Sequence, residues 1–91
     1  MRQVELEERI VTLIASVLEM ERSDIESKFR GRLADLGCTS LQALQLNRIL
    51  EEEFNCELNI LDVVDAQGVE GICALVSRSI SKKPRTHPEA V

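Results

Sequence analysis

Three segments of the chain repeat apolar residues at the spacing of an α-helix, and each repeat makes only one apolar face. The segments run over residues 3–19, about 40–54 and about 69–81. A helix with a single apolar face buries that face against other elements, so three such helices predict a small helical bundle. Because aromatic residues make up only 2% of the chain, Leu, Ile, Val and Ala have to build the core. The stripe residues are Leu6, Ile10, Leu13, Ile14, Val17 and Leu18; Ala43, Leu46, Leu50 and Phe54; and Val69, Ile72, Cys73, Val76 and Ile80.

Residues 21–39 show no sustained helical period and are predicted to form a long connection between the first two helices. Connections of this length in small domains are commonly functional or pinned to the core. Gly31 and Gly37 are expected at its bends, because glycine tolerates backbone conformations that other residues avoid. The expected anchors of this loop in the core are Ile25, Phe29 and Leu33.

The segment 58–66 is apolar and contains β-branched residues, which is compatible with a short strand or a short helix. The helix is favoured because the chain offers no second strand to pair with. The predicted fold class is therefore all-α: a small bundle of three main helices and one short helix, with a long first loop. Residues 1–80 form the predicted domain, and residues 81–91, with two prolines and no period, are predicted to be a disordered tail.

The composition excludes several classes of protein. The net charge is -5, and an acidic domain of this kind repels nucleic acid and anionic membranes. Three cysteines (Cys38, Cys56, Cys73) and one histidine do not have zinc-ligand spacing, so the thiols are expected to behave as small apolar residues. No apolar run is long enough for a signal peptide or a membrane span. We therefore expect a monomeric cytoplasmic protein without a bound metal, a nucleic-acid partner or a membrane partner.

Ser40 is the residue best placed for chemistry. Thr39 followed by Gln42 is a capping-box pattern, so Thr39 is expected to cap the second helix and Ser40 to be its first residue. A hydroxyl at this position lies at the positive end of a helix, where a phosphate is held well. Two interpretations stay open: Ser40 is a covalent attachment point, or it merely starts the helix. Because the single histidine, His87, lies in the predicted tail, the chain lacks a base on a rigid frame and is not expected to be an enzyme.

Residues 35–41, Asp-Leu-Gly-Cys-Thr-Ser-Leu, resemble the D-L-G-x-[D/x]-S-L signature of acyl and peptidyl carrier proteins. The resemblance extends over roughly residues 4–80. It includes the long first loop, the end of the second helix at residues 50–54 (Leu-Glu-Glu-Glu-Phe) and the entry to the last helix at residues 67–69 (Gln-Gly-Val).

The resemblance implies that Ser40 receives 4'-phosphopantetheine from coenzyme A through a separate phosphopantetheinyl transferase. The arm would carry an acyl or aminoacyl group as a thioester, and Gly37, Thr39 and Leu41 would complete the attachment site. The further partners implied are an acyl- or aminoacyl-loading enzyme and downstream synthase enzymes. The residues implied to contact these partners are Leu41, Leu44, Arg48, Glu51, Glu52 and Glu57, together with Glu53.

Three departures distinguish this chain from the fatty-acid type of carrier. Thr39 stands where those carriers usually have Asp, and Gln42 and Gln45 stand where acids are frequent; Arg48 also occupies a position that is often apolar. The resemblance is therefore closer to carriers of polyketide or nonribosomal-peptide biosynthesis. We expect a freestanding carrier of biosynthetic intermediates. The alternative is a non-catalytic helical interaction module that has the carrier fold but no prosthetic arm.

Overall fold

The computed structural model describes residues 2–82, with side chains through residue 80. Five α-helices and one 3₁₀ turn make up this part of the chain, and it contains no strand. The all-α prediction of three main helices and one short helix is confirmed. The helices are α1 (Gln3–Leu18), α2 (Arg22–Lys28), α3 (Ser40–Phe54), α4 (Ile60–Asp65) and α5 (Gly68–Lys82), and the 3₁₀ turn spans Leu33–Leu36.

The core lies where α1 contacts both α3 and α5. Its centre is aliphatic, and no polar or charged residue of the described part of the chain is buried. The predicted stripe of α3 is buried along its whole length, whereas the last member of the α5 stripe, Ile80, is 41% exposed. Residues near a helix end have fewer neighbours, so the stripe pattern overstates burial there. The fully buried side chains that join the main helices are Ile10 and Ile14 of α1, Leu46 and Leu50 of α3, and Ile72 and Val76 of α5.

The loop predicted over residues 21–39 contains more regular structure than its sequence suggests, because α2 and the 3₁₀ turn both lie within it. The seven-residue α2 buries one side chain, Ile25, and one buried position cannot produce a visible period. The three predicted anchors are confirmed: Ile25, Phe29 and Leu33 are at most 3% exposed.

Two glycines tie this loop to the last helix. The Gly68 N–H donates to the Gly31 carbonyl at 2.9 Å. Gly68 has a φ of +70°, and a Cβ there would lie 3.2 Å from the Phe29 carbonyl oxygen. Gly31 lies at a bend, as predicted, but its φ is not positive; a Cβ there would meet the end of the Asp35 side chain, which would have to move. The path of the chain toward α3 is therefore fixed by backbone contacts with the start of α5.

Helix α5 continues to Lys82, two residues beyond the predicted domain boundary at residue 80. The rest of the predicted tail, residues 83–91, lies outside the described residues. Within the described part, no helix is long and apolar enough to cross a membrane.

Candidate functional site

Ser40 is the first residue of α3, and its side chain is exposed. The chain reaches it through the 3₁₀ turn and then Gly37, which adopts a φ of +84° and donates its N–H to Ala34. This left-handed conformation favours glycine. The Cys38 N–H donates to the Leu33 carbonyl at 3.4 Å, which fixes the turn before the helix. The Ser40 hydroxyl has no hydrogen-bond partner among the described residues.

The predicted capping box at the start of α3 is confirmed. The Gln42 N–H donates to Thr39 Oγ1 at 3.1 Å, and the Thr39 N–H donates to Gln42 Oε1 at 3.0 Å. The Ala43 N–H donates to the Thr39 carbonyl at 2.9 Å. Thr39 therefore provides the side-chain cap, and Ser40 is not needed for it.

The first turn of α3 retains two backbone donors. The N–H groups of Ser40 and Leu41 have no acceptor among the described residues, as is usual for the first residues of a helix. No acidic residue lies in this turn. A phosphate on the Ser40 oxygen would thus lie beside free N–H groups at the positive end of the helix dipole. The residues present fit a phosphate-linked group on Ser40.

Removing the cap tests how much of this geometry depends on Thr39. We expect Thr39→Ala to lower the free energy of unfolding by about 1 kcal/mol, the usual cost of losing such a cap, while Thr39→Asp retains most of the stability. Urea denaturation followed by circular dichroism measures both. Thr12→Ala is the matched control, because the exposed Thr12 hydroxyl donates to Glu8 within α1 and caps no helix start; its effect is expected to stay within about 0.5 kcal/mol. Equal losses at the two threonines would contradict the capping role.

The three cysteines occupy two environments. Cys56 and Cys73 are at most 1% exposed, whereas Cys38 is only partly buried. Burial raises the pKa of the Cys38 thiol, and its Sγ donates to the Thr39 carbonyl at 3.4 Å. Burial, with a smaller contribution from Glu7 and Glu70, raises the pKa of Cys73 to about 11. The raised pKa favours the neutral form of Cys38 and Cys73, and Cys56 is fully buried among apolar residues, as expected of small apolar side chains.

We expect a disulfide reagent at pH 8 to titrate one thiol, Cys38, in the folded protein and all three in denaturant, because only a thiolate that the reagent can reach is attacked.

The raised pKa of Cys73 also makes the stability of the folded protein depend on pH. Its thiol ionises near 9 when unperturbed, so the folded state retains this proton more tightly. The associated stability is complete below pH 9 and is lost as the pH rises toward 11. In the thiol titration, rapid reaction of two or more thiols in the folded protein would contradict the burial of Cys56 and Cys73.

The exposed surface of α3 combines apolar and charged side chains. Leu41 and Leu44 are 66% and 54% exposed, as their positions outside the stripe predict. Arg48 Nε lies 3.5 Å from Glu52 Oε2, and both side chains are exposed. Glu57 is exposed in the linker after α3.

Two of the predicted partner-facing acids have contacts within the domain. Glu51 Oε2 accepts from the Leu58 N–H at 2.9 Å and so holds the linker between α3 and α4. Glu53 pairs with Arg9 of α1, and the Arg9 guanidinium also lies 5.4 Å from the centroid of the Phe54 ring. These two acids therefore stabilise the bundle, which the sequence pattern did not indicate.

One exposed apolar residue near this surface was missed. Leu61 is 66% exposed and lies on α4, which packs against α3. The sequence carried the signal, because helical spacing places Ile60, Val63 and Val64 together on one face and leaves Leu61 outside it. In the described residues, no group of acidic, histidine or cysteine side chains is arranged to hold a metal ion.

The described residues thus form a small helical bundle with an exposed serine at the capped start of α3, the arrangement expected of a carrier-type domain. Residues 8–76 match the model of the family described as the phosphopantetheine attachment site. The match covers most of the chain, and the chain belongs to this family. No significant match was found among curated proteins or among solved structures.

Membership defines the role of the chain in general terms. Domains of this family carry a covalently attached 4'-phosphopantetheine and are not catalysts. They interact with phosphopantetheinyl transferases and with synthases. The resemblance seen at residues 35–41 is thereby confirmed at the level of the family.

Proposed function

We propose that Ser40 is the residue that bears the phosphopantetheine arm and that the chain carries intermediates of polyketide or nonribosomal-peptide biosynthesis. The observation that carries the first part is the exposed, unbonded Ser40 hydroxyl beside a complete Thr39–Gln42 cap. The two free N–H groups of the first turn, those of Ser40 and Leu41, are placed to stabilise a phosphodiester at this position. Gly37 contributes the turn that leaves the serine unobstructed.

Attachment requires Ser40 to act as a nucleophile within a transferase. Its hydroxyl oxygen forms a bond to the phosphorus that bears the pantetheine unit of coenzyme A. The phosphoanhydride bond breaks, adenosine bisphosphate leaves with the bridging oxygen, and the hydroxyl proton passes to a base of the transferase. When bound, the arm supplies a terminal thiol that carries an acyl or aminoacyl group as a thioester.

The pathway class rests on the neutral character of the first two turns of α3. Thr39, Gln42 and Gln45 lie where fatty-acid carriers commonly have acids, and the first acid of α3 is Glu51. A transferase or synthase that docks here meets apolar and amide side chains near the serine. It meets charge only further along the helix, first the positive Arg48 and then the exposed negative Glu52, since the Glu51 carboxylate is bonded to the Leu58 N–H. We infer a partner surface with an apolar patch, an acidic group facing Arg48 and basic groups facing Glu52 and Glu57.

The decisive experiment incubates the purified apo protein with coenzyme A and a broad-specificity phosphopantetheinyl transferase. We expect intact-protein mass spectrometry to show the addition of one arm, and fragmentation to place it on the peptide that contains Ser40. The same measurement on protein from its native host reports the cargo and so distinguishes the pathway classes. Protein that stays unmodified with several transferases but still binds a synthase would support an interaction module without an arm.

Leu44→Ala tests the proposed docking surface. An exposed leucine that becomes buried against a partner contributes about 1.5–3 kcal/mol, and truncation to alanine retains only part of that. We therefore expect a roughly tenfold fall in kcat/KM for arm attachment, measured by the initial rate of mass addition. Ile80→Ala is the control, because Ile80 is also an exposed aliphatic residue but lies on α5. An unchanged rate for Leu44→Ala would remove Leu44 from the docking surface.

A further inference from the structure

A second surface feature lies away from the α3 surface. It is a cleft of about 470 Å³ between the first half of α1, the end of α2 and the start of α5. None of its lining residues belongs to α3 or α4. Val11 and Phe29, each 3% exposed, contribute apolar lining, and Val4, which is 63% exposed, adds an unpartnered apolar side chain.

The charges around this cleft are predominantly negative. Glu7, Glu8, Glu26 and Glu70 line it, with Arg30 as the one cation in its lining. None of the four carboxylates forms an ion pair with a described residue. Glu7 accepts a hydrogen bond from the Gln3 amide at 3.2 Å, which leaves its charge uncompensated.

The carboxylates of the cleft affect the pKa of a buried thiol. Glu7 and Glu70 both contribute to the raised pKa of the Cys73 thiol, although burial is the larger cause. The two residues belong to α1 and α5, so the negative potential spans the cleft from one helix to the other.

The chemistry of the cleft selects the kind of ligand. The described carboxylates are not grouped closely enough to hold a metal ion, so a divalent cation is not the occupant. Separate carboxylates around an apolar lining suit an elongated ligand with cationic groups and an aliphatic part. Lysine and arginine have charged heads on apolar stems, and such residues beside an aliphatic one match both properties.

We propose that this cleft docks a basic segment of a partner protein, with an aliphatic side chain against Val4 and the partly buried Val69 and with Lys or Arg side chains against the glutamates. The role that we assign to this docking site rests on the carrier function proposed above. Since the cleft shares no residue with the α3 surface, one partner can hold the carrier while another acts at Ser40. Tethering of this kind raises the effective concentration of the arm at the second enzyme without any new contact there.

The test uses a defined probe and does not need the arm. ¹⁵N-labelled Ser40→Ala protein is titrated with the peptide acetyl-Arg-Leu-Arg-Val-Lys-amide, and separately with a neutral peptide that has Gln in place of each basic residue. We expect saturable chemical-shift changes with the basic peptide only, confined to amides of the first half of α1, residues 29–31 and the start of α5. Raising the salt concentration should weaken binding, because exposed charges are screened.

A matched pair of charge variants locates the site. Glu7→Gln with Glu70→Gln is expected to weaken peptide binding about fivefold, the scale of two partly exposed ion pairs. Glu19→Gln with Glu21→Gln changes the net charge equally at two exposed residues outside both the cleft and the α3 surface, and its affinity should match that of the parent. The proposal is overturned if the peptide causes no saturable change, if the changes lie on α3, or if both double variants lose affinity equally. Each of these results leaves arm attachment at Ser40 untouched, because the probe is measured on protein that cannot be modified there.

Discussion

Ser40→Ala abolishes attachment of the phosphopantetheine arm completely: this is the expected result of incubating the variant with coenzyme A and a transferase. The reaction needs an oxygen nucleophile at the start of α3, and alanine removes it. The loss is specific, because the Ser40 hydroxyl makes no hydrogen bond with the described residues and the helix is capped by Thr39. The free energy of unfolding should therefore change by no more than about 0.5 kcal/mol.

Ser16→Ala is the control for this experiment, since Ser16 is also exposed and lies within α1. It should gain one arm at the rate of the parent protein. Intact-protein mass spectrometry distinguishes the two variants without further assay. A Ser40→Ala protein that still gains an arm would show that another hydroxyl is the attachment point.

Leu46→Ala is expected to lower the free energy of unfolding by about 3 kcal/mol, within the range for leucine-to-alanine changes in a core. Leu46 is fully buried in α3 at the centre of the core, so truncation removes apolar contact and leaves a cavity. A loss of this size is a large fraction of the roughly 5–15 kcal/mol that stabilises a small domain. The midpoint of thermal unfolding should fall by roughly 12–24 °C.

Leu44→Ala removes the same atoms two residues earlier on the same helix, but Leu44 is 54% exposed. Its stability should change by less than about 1 kcal/mol, as is usual for surface substitutions. Urea denaturation followed by far-ultraviolet circular dichroism compares the two variants directly. Equal destabilisation would contradict the burial of one residue and the exposure of the other. The rate of arm attachment, measured for both variants, also distinguishes an effect on docking, expected for Leu44→Ala, from an effect on folding, expected for Leu46→Ala.

The parts of the fold that were predictable are those that depend on neighbours along the chain. The stripes of α1 and α3 follow from apolar spacing within one helix, and the Thr39–Gln42 cap depends on residues three apart. The position of Ser40 as the first residue of α3 is predictable for the same reason, because the capping box is local. Helix α3 also ends at residue 54, where its apolar period ends, and Asn55 follows in a left-handed conformation that asparagine tolerates.

The parts that were not predictable depend on how separate elements meet. Helix α2 has a single buried residue, Ile25, so tertiary contact and not periodicity identifies it. The hydrogen bond that the Glu51 carboxylate accepts from Leu58, seven residues away, requires the path of the linker to be known, whereas the partner-facing role of Glu51 stays a prediction. The acidic cleft joins residues of α1, α2 and α5, and no local pattern brings these together.

The cap that presents Ser40 consists of two neutral side chains, a hydroxyl and an amide. An aspartate in the place of Thr39 would also cap the helix, but its carboxylate would take up a proton near its usual pKa of about 3.9 and lose strength in acid. The Thr39–Gln42 pair has no proton to gain in that range. The cap beside Ser40 therefore keeps two hydrogen bonds that do not themselves depend on pH, even in acid that weakens ion pairs elsewhere in the bundle.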